Sequence, residues 1–307
     1  MTLDEVESGG KAGLARALAL LESEPDGAAQ IALLDAAHAA PGARVIGITG
    51  PPGVGKSTLI DALIKTWRAE GLTVGCIAVD PSSRRSGGAL LGDRTRLTTD
   101  PADTGVFFRS MAARDRLGGL AAQTVAATVL MRALFDRVLV ETVGVGQSET
   151  EIAGVADTVL FCVQPGSGDS LQFMKAGIAE IPHVVAVTKA DQEPAARRAL
   201  ADVTGALALS ETEGDWRVPA VLVSARRATG LDDLLSALDD HAAFLGQGDR
   251  LARARHAQAI AWLEAALGER FGREGLRRAG DLSLAFGASP FKRLAEIGRR
   301  LAETHNM

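Results

Sequence analysis

The chain has 307 residues, a length that fits about two domains of ~150 residues or one elaborated α/β unit with helical extensions. Hydrophobic residues make up 47% and charged residues 23%, which excludes an intrinsically disordered or collagen-like chain. The formal net charge of −5 argues against an extended nucleic-acid-binding surface, so we expect no nucleic-acid partner.

The first predicted unit is an N-terminal helical extension, residues 1–42. Leu14, Ala17, Leu18 and Leu21 recur at helical spacing within it. This spacing places their side chains on one face of a helix. We therefore expect amphipathic helices that pack on the rest of the molecule.

The second predicted unit, residues 43–245, alternates short β-branched runs with helical stretches. This pattern is typical of βαβ units around a mainly parallel sheet. The expected strands are residues 44–49, 73–79, 106–108, 138–140, 158–163, 183–187 and 220–223. The predicted fold class is therefore α/β, with a doubly wound sheet of seven strands.

The third predicted unit, residues 246–307, is a C-terminal helical extension. It contains one expected helix over 251–273 and a weaker one over 290–301. The apolar stripe of the first helix consists of Ile260, Leu263, Ala266 and Leu267. This stripe needs a cover, either the central unit or a second protomer. We expect a homodimer, with this extension as the dimerisation element.

Cysteine usage and hydropathy indicate a cytoplasmic protein. Cys76 and Cys162 each lie in an apolar run typical of a buried strand, which predicts neither a disulfide framework nor a cysteine metal cluster. Residues 1–7 are acidic where a signal peptide would be basic, and no stretch reaches the ~18 apolar residues of a membrane span. We therefore expect a reducing location and no membrane partner.

The most specific motif is the segment 50–57, which reads G-x-x-x-x-G-K-S between an apolar strand and a helix. Its glycines let backbone amides approach phosphate oxygens, and Lys56 can reach the terminal phosphates from a solvent-facing loop. A chance glycine turn is the alternative, but the order of strand, loop and helix argues against it. The predicted nucleotide contacts are Gly50, Pro52, Gly53, Val54, Gly55, Lys56, Ser57 and Thr58. The motif therefore predicts binding of a nucleoside triphosphate.

Two later segments favour guanine as the base. Thr188, Lys189 and Asp191 follow a strand in the pattern [NT]-K-x-D, and a carboxylate there accepts from two donors that guanine offers and adenine lacks. Ser224 and Ala225 follow the last strand, where their backbone amides can contact the guanine base. A lysine and an aspartate after a strand are often only a solvated turn, but the spacing from the phosphate motif favours GTP.

Acidic residues follow the strands at the same expected sheet edge. Asp80 and Glu141 each end a strand, where ligands of open α/β sheets bind. Together with Ser57 they can hold Mg²⁺ or its waters. Asp93 is a further candidate, although its Gly- and Arg-rich surroundings also suit an ordinary surface loop. Each acid taken alone is often just a solvated strand end.

The combined motifs resemble the MeaB/ArgK (MMAA-like) family of P-loop GTPases over about residues 44–240. The matching segments are the phosphate motif, Val79–Ser83, Leu91–Arg96 and Val140–Glu149. The resemblance implies a SIMIBI-like GTPase core that hydrolyses GTP to GDP and phosphate with Mg²⁺. It also implies a chaperone that guards an adenosylcobalamin-dependent acyl-CoA mutase, such as methylmalonyl-CoA mutase, with the adenosylcobalamin belonging to that partner.

The resemblance also assigns roles to individual positions. Asp80 and Asp93 match the magnesium and first-switch region, whereas Glu141 and Gly144 match the second switch, with glutamate replacing the usual aspartate. Residues 165–175 match the third switch, through which family members contact the mutase. The implied catalytic residues are Lys56, Asp80, Asp93, Glu141 and Lys175. Thr188 stands where many members carry asparagine, which should weaken one base-positioning contact.

Two other functions compete with the chaperone. A kinase or ATPase associated with periplasmic amino-acid transport needs an ordered acceptor site and a catalytic base, and the sequence displays neither. Nickel insertion needs clustered histidine or cysteine ligands, but the five histidines are scattered singly. The expected function is therefore a GTPase that is slow alone and stimulated by its partner.

Overall fold

The computed structural model describes residues 1–24, 26–81, 100, 102–113, 122–142, 151–166, 181–209 and 215–303. The strands are β1 (Arg44–Thr49), β2 (Val74–Pro81), β3 (Val106–Ala113), β4 (Arg137–Glu141), β5 (Thr158–Val163), β6 (Val184–Val187) and β7 (Ala220–Leu222). The helices are α1 (Leu3–Ser8), α2 (Gly10–Ser23), α3 (Ala28–Ala39), α4 (Lys56–Ala69), α5 (Ala122–Leu134), α6 (Glu193–Leu209), α7 (Leu231–Leu245), α8 (Arg250–Ala279) and α9 (Pro290–Glu303), with a 3₁₀ helix at Ile152–Gly154.

The seven strands form one sheet in the order β3-β2-β4-β1-β5-β6-β7. Every pairing is parallel. The predicted α/β fold with a doubly wound parallel sheet is therefore confirmed. Because all strands run the same way, the chain segments that follow them emerge at one edge of the sheet.

Helices cover both faces of the sheet. Successive β1 side chains alternate between the faces, so Val45 joins a core with α1, α2, α3 and α5, whereas Ile46 joins a core with α4 and α7. A third cluster packs α6 on β5, β6 and β7 through Val203. The two cysteines lie fully inside these strands, and burial raises the pKa of the Cys162 thiol to about 12, so both act as core residues.

The C-terminal apolar stripe is covered within the chain. Leu263 and Leu267 of α8 are fully buried in a cluster that includes Ile297 and Leu301 of α9. On another side of α8, the Gln258 amide donates to the carbonyl oxygens of Ala153 and Ala156, both at 2.8 Å. Leu263 and Leu267, the two leucines of the stripe, therefore have their cover in α9, and they provide no argument for a dimer.

Two stacked histidines lie at the opposite edge of the sheet, His241 buried and His183 partly buried. The rings of His183 and His241 lie 4.3 Å apart, and the Trp216 ring contacts His241 edge-on at 4.8 Å. The His183 Nδ1 atom accepts from the Val159 amide at 2.9 Å. Burial lowers the pKa of His183 to about 4 and, with the neighbouring His183, that of His241 to about 3. Both imidazoles are therefore neutral in the folded chain at neutral pH.

The histidine pair predicts loss of stability in mild acid. Unfolded histidines protonate near pH 6.5, so between that value and the folded pKa values the unfolded state binds more protons. We expect the free energy of unfolding to fall by about 2–4 kcal/mol between pH 7.5 and pH 5. Urea denaturation at both pH values measures this change. His241→Phe should shrink the dependence and His256→Gln on α8 should preserve it; an unchanged dependence in His241→Phe would contradict the assignment.

No helix in the described part of the chain combines the length and apolar character needed to cross a membrane.

Candidate nucleotide-binding site

The candidate site lies at the edge of the sheet where the strands end. The phosphate motif follows β1, Glu141 ends β4, residues 188–191 follow β6 and Ser224 follows β7. Parallel pairing brings these four segments together. The structure thus gathers the residues that the sequence predicted from widely separated positions.

The loop between β1 and α4 depends on glycine at two points. Gly50 has a φ of 136°, and a Cβ there would lie 2.2 Å from the Cys162 carbonyl oxygen of β5. Gly55 precedes α4 with a left-handed φ of 100°, a region that other residues rarely adopt. The loop therefore turns sharply into the helix, whose N-terminal amides and dipole favour an anion such as phosphate.

Lys56 is buried rather than solvent-facing. Only 7% of the residue is exposed, and its ammonium donates to the carbonyl oxygens of Gly50 at 2.7 Å and Pro51 at 3.2 Å. The expectation of a solvent-facing lysine is therefore wrong, because the loop folds over the side chain and its carbonyls replace water. These contacts hold the charge within the loop.

Ser57 and Glu141 meet next to the phosphate loop. The Ser57 hydroxyl lies 3.1 Å from Glu141 Oε1, although 84 residues separate the two in sequence. Glu141 is buried, and the adjacent Thr142 hydroxyl hydrogen-bonds to the Thr49 hydroxyl at 2.9 Å. A hydroxyl and a carboxylate oxygen side by side form a hard-oxygen donor set suited to Mg²⁺. Among the described residues, no group of three or more His, Cys, Asp or Glu side chains is arranged to hold a metal ion.

A cavity of about 250 Å³ lies beside the phosphate loop and is the candidate base pocket. Its walls come from the segment before and within α4, from the residues after β6 and from those after β7. The lining residues are Val54, Gly55, Thr58, Leu59, Thr188, Lys189, Asp191, Gln192, Val223, Ser224, Ala225 and Arg226. Eight of these twelve residues were predicted to contact nucleotide, and these eight share one concave space.

Asp191 is oriented inside this cavity by Ser224. The Ser224 hydroxyl donates to Asp191 Oδ1 at 2.7 Å. This bond, with a backbone hydrogen bond and nearby Arg227 and Arg226, holds the pKa of the Asp191 carboxyl below its usual range. The carboxylate is thus charged at neutral pH and can accept paired donors from a base.

Thr188 and Lys189 connect the base pocket to the phosphate loop. Thr188 Oγ1 lies 2.7 Å from the Val54 carbonyl oxygen and 2.9 Å from that of Val163, so its single proton is shared between two chain segments. Lys189 has a left-handed φ of 52°, and its ammonium donates to the Gly53 carbonyl at 2.8 Å. Thr188 therefore braces the loop, a role that its position in the base motif did not reveal.

Several predicted site residues cannot be placed by their side chains. Asp93, Gly144 and Lys175 lie outside the described residues. Asp80 lies near the end of β2, where its backbone is in register with Ala112 of β3. Their assigned roles therefore remain predictions.

Sequence reasoning also missed residues that the structure brings to the pocket. Gln192 and Arg226 line the base cavity, and Gln164 contacts the Lys189 ammonium through its side-chain oxygen. Gln192 and Arg226 each directly follow a predicted contact, so only that adjacency could have indicated them. Gln164 follows β5 at the same sheet edge, and no sequence motif marks this position as part of the site.

The family model described as "Methylmalonyl Co-A mutase-associated GTPase MeaB" matches residues 14–274. The chain belongs to the MeaB family. A relative from Pyrococcus abyssi, named a GTPase, is 42% identical over 257 residues, which cover 82% of this chain and 79% of that protein. As a P-loop protein with relatives named GTPases, this MeaB-family chain is a GTPase.

Two further similarities bear on the function of this MeaB-family member. The mitochondrial methylmalonic aciduria type A homolog of Mus musculus is 36% identical over 222 residues, covering 71% of this chain and 54% of that protein. The crystal structure of an LAO/AO transport system kinase aligns with a TM-score of 0.68 at 28% identity, covering 99% of this chain and 96% of that one.

Ser224→Ala tests whether the hydroxyl orients the Asp191 carboxylate. We expect the KM for GTP to rise roughly 3–10-fold, the usual size of one lost hydrogen bond, with little change in fold because the site faces the cavity. The pKa of Asp191 should rise at the same time, because the largest cause of its lowering is removed. Steady-state kinetics and carboxyl NMR titration measure the two effects. An unchanged KM would remove Ser224 from the site.

Proposed function

We propose that this chain is a GTP-hydrolysing chaperone that gates cofactor loading, protection or reactivation of an adenosylcobalamin-dependent acyl-CoA mutase. The observation that carries the GTPase part is the cavity in which Asp191, Ser224 and Lys189 adjoin the phosphate loop. The mutase part is supported by the description of the matching family model as mutase-associated. The proposal places the protein in the cytoplasm, with residues 43–245 as the GTPase domain between two helical extensions.

In this proposal the pocket recognises guanine by hydrogen bonds to the edge of the base. Asp191 accepts from the ring N–H and the exocyclic amine, and Ala225 offers a backbone amide beside Ser224. Lys189 lies between the base pocket and the phosphate loop, where its contact with Gly53 holds the two parts in register. Adenine presents no matching donor pair, so binding favours GTP.

The phosphate end of the proposed site uses amides, one ammonium and oxygen ligands. The amides of residues 53–58 at the start of α4 bind phosphate oxygens, and Lys56 stabilises charge on the terminal phosphate during in-line attack by water. The oxygens of Ser57 and Glu141 fit Mg²⁺, with Asp80 and Asp93 as further proposed ligands. Bound Mg²⁺ would neutralise charge on the phosphates.

A second candidate function is a kinase tied to amino-acid transport, which the structural likeness to the LAO/AO transport system kinase favours. The two functions differ in the phosphate acceptor. With γ-labelled GTP, the chaperone releases all label as inorganic phosphate, whereas the kinase transfers label to a protein. Label retained on a periplasmic binding protein would favour the kinase.

The partner proposal predicts a stimulation that depends on Lys175. On this proposal the mutase orders the third switch and directs Lys175 to the catalytic site, so Lys175→Ala should keep intrinsic GTP hydrolysis and lose most of the stimulated rate. Turnover is measured with and without methylmalonyl-CoA mutase. Lys292→Ala, at an exposed position of α9, is the control and should keep full stimulation. Undiminished stimulation in Lys175→Ala would reject the switch role, and no stimulation of the unmodified chain would reject this mutase as client.

We also propose a homodimer, the assembly expected from the sequence. The apolar stripe of α8 does not support it, because α9 covers that stripe. Sedimentation velocity over a range of concentrations decides the question. A single monomeric species at every concentration would reject the dimer.

A further inference from the structure

A second cavity, of about 30 Å³, lies where the terminal helices meet the core. Its wall is made by α3, α5, the end of the 3₁₀ helix, α8 and α9. The polar residues on that wall include His38, Arg132, Arg255 and Trp262. The base pocket shares none of its lining residues, so this is a separate site.

Three buried polar atoms on this wall have no hydrogen-bond partner among the described residues. They are Nδ1 of His38, Nε of Arg132 and Nε1 of Trp262. Each comes from a different helix, yet all three residues border the same small space. Arg132 Nε and Trp262 Nε1 are N–H donors, whereas Nδ1 of a neutral His38 that donates to the Ala288 backbone is an acceptor. Buried N–H groups are nearly always satisfied, so the two unpaired donors indicate a ligand that accepts hydrogen bonds.

The charges around the cavity are unbalanced. Arg132 is 6% exposed and forms no ion pair with any described carboxylate. The nearby Asp157 carboxylate already has three hydrogen bonds. Arg255 donates to both of its oxygens, at 2.8 and 2.7 Å, and the Val45 amide donates to it at 2.8 Å. Burial, followed by the nearby Arg255, lowers the pKa of Arg132 to about 10, which still leaves it charged at neutral pH.

The remaining titratable group at the cavity is His38, which faces both signs of charge. Burial and then Arg132 lower its pKa, whereas Asp35 and a hydrogen bond with the Ala288 backbone raise it. Asp35 is itself bonded to the Ser289 hydroxyl. Among the groups that line the cavity or pair with its walls, Arg132 is the cation that no carboxylate balances directly.

We propose that this cavity binds one chloride-sized monovalent anion, held by the Nε–H of Arg132 and the Nε1–H of Trp262. A water molecule could satisfy these donors, but it would add no negative charge where two arginines, Arg132 and Arg255, face the single Asp157 carboxylate. The volume is about twice the ~10–15 Å³ that one water-sized sphere needs, so the space admits a chloride ion. A bound anion also raises the pKa of His38, against the lowering by burial and by Arg132.

The bound anion would connect the helical extensions to the core. Gly154 and Val155, at the end of the 3₁₀ helix, border the site together with Phe291 of α9. A ligand that binds only the folded arrangement stabilises it increasingly as its concentration rises above its Kd. At about ten times its Kd, chloride should raise the Tm by roughly 2–5 °C above a matched gluconate solution.

Crystals of the full chain grown in sodium bromide test the site directly. We expect an anomalous bromide peak in the cavity within contact of Arg132 Nε and Trp262 Nε1. A peak without anomalous signal would be water, and it would overturn the proposal. An empty cavity in bromide would overturn it as well.

Thermal denaturation in chloride and in gluconate at equal ionic strength tests the site in solution. Trp262→Phe removes the donor and keeps a ring to pack on Phe291, whose centroid lies 4.7 Å from that of Trp262, so the chloride-specific Tm shift should fall at least by half. Arg132→Met should abolish the shift, whereas Arg253→Met, an exposed arginine of α8, should preserve it. If Arg132→Met does not fold, Trp262→Phe decides: a full chloride shift in that variant would overturn the proposal.

Discussion

Replacement of Asp191 by asparagine is expected to move nucleotide preference from GTP to XTP. The carboxylate lies in the base cavity, fixed by Ser224, and accepts two guanine donors in the proposed complex. Asparagine keeps one acceptor for the ring N–H but turns its amide donor toward the guanine amine, whereas xanthine offers an oxygen there. Because two charge-assisted hydrogen bonds are lost, GTP affinity should fall on the order of 10²–10³-fold while XTP affinity rises.

Competition binding of GTP against XTP measures this exchange. Glu193→Gln is the matched control, since Glu193 is an exposed carboxylate two residues away that pairs with Arg197. It should leave the preference for GTP unchanged. If Asp191→Asn still binds GTP far better than XTP, the base pocket has been placed wrongly.

The sheet could be predicted because its strands are buried on both faces. Parallel strands under two layers of helices are continuous apolar runs, and 44–49 and 158–163 were predicted at their observed limits. The largest error in strand length is at β3, expected over 106–108 and observed over Val106–Ala113. This strand lies at the sheet edge, where polar residues are tolerated, and Arg109 pairs with Glu22 of α2 at 2.6 Å. An edge strand therefore carries a weaker apolar signal.

The C-terminal helix shows what a stripe of apolar residues cannot specify. The pattern predicted a helix over 251–273, and α8 extends to Ala279 across a break at Gly272, where φ is 66°. Periodicity established that one face needed a cover, but not which surface would supply it. The amphipathic α9 supplies it through Ile297 and Leu301. Which surface covers the apolar face of α8 depends on tertiary contacts, and a local sequence pattern does not contain that information.

The candidate site, like the fold, could be predicted only in part from the sequence. Motif spacing predicted which residues gather around the nucleotide, because a phosphate loop and a guanine motif act through fixed backbone geometry. It placed Ser57 and Glu141 at one Mg²⁺ site, but it predicted neither the direct hydrogen bond between them nor the bond of Thr188 to the Val54 carbonyl. These contacts join segments 134 and 84 residues apart, so they emerge only once the sheet is assembled.

Truncation of Lys56 is the second change with a large expected effect. Its ammonium is held in the phosphate loop by the Gly50 and Pro51 carbonyl oxygens, and in the proposed reaction it stabilises the terminal phosphate. Loss of one such preorganised donor typically slows turnover ~10²–10³-fold. Single-turnover GTP hydrolysis by Lys56→Ala should therefore be at least ~10²-fold slower, with weaker GTP binding.

The burial of Lys56 adds an effect on stability that must be separated from catalysis. Removing the ammonium leaves two loop carbonyls without their charged donor, so the free energy of unfolding should fall by roughly 1–3 kcal/mol. Turnover is therefore compared at a temperature where circular dichroism shows both proteins folded. Lys65→Ala is the control, because Lys65 lies on the same helix but is exposed and paired with Asp61. A folded Lys56→Ala protein with turnover close to that of the unmodified chain would exclude Lys56 from the hydrolysis of GTP.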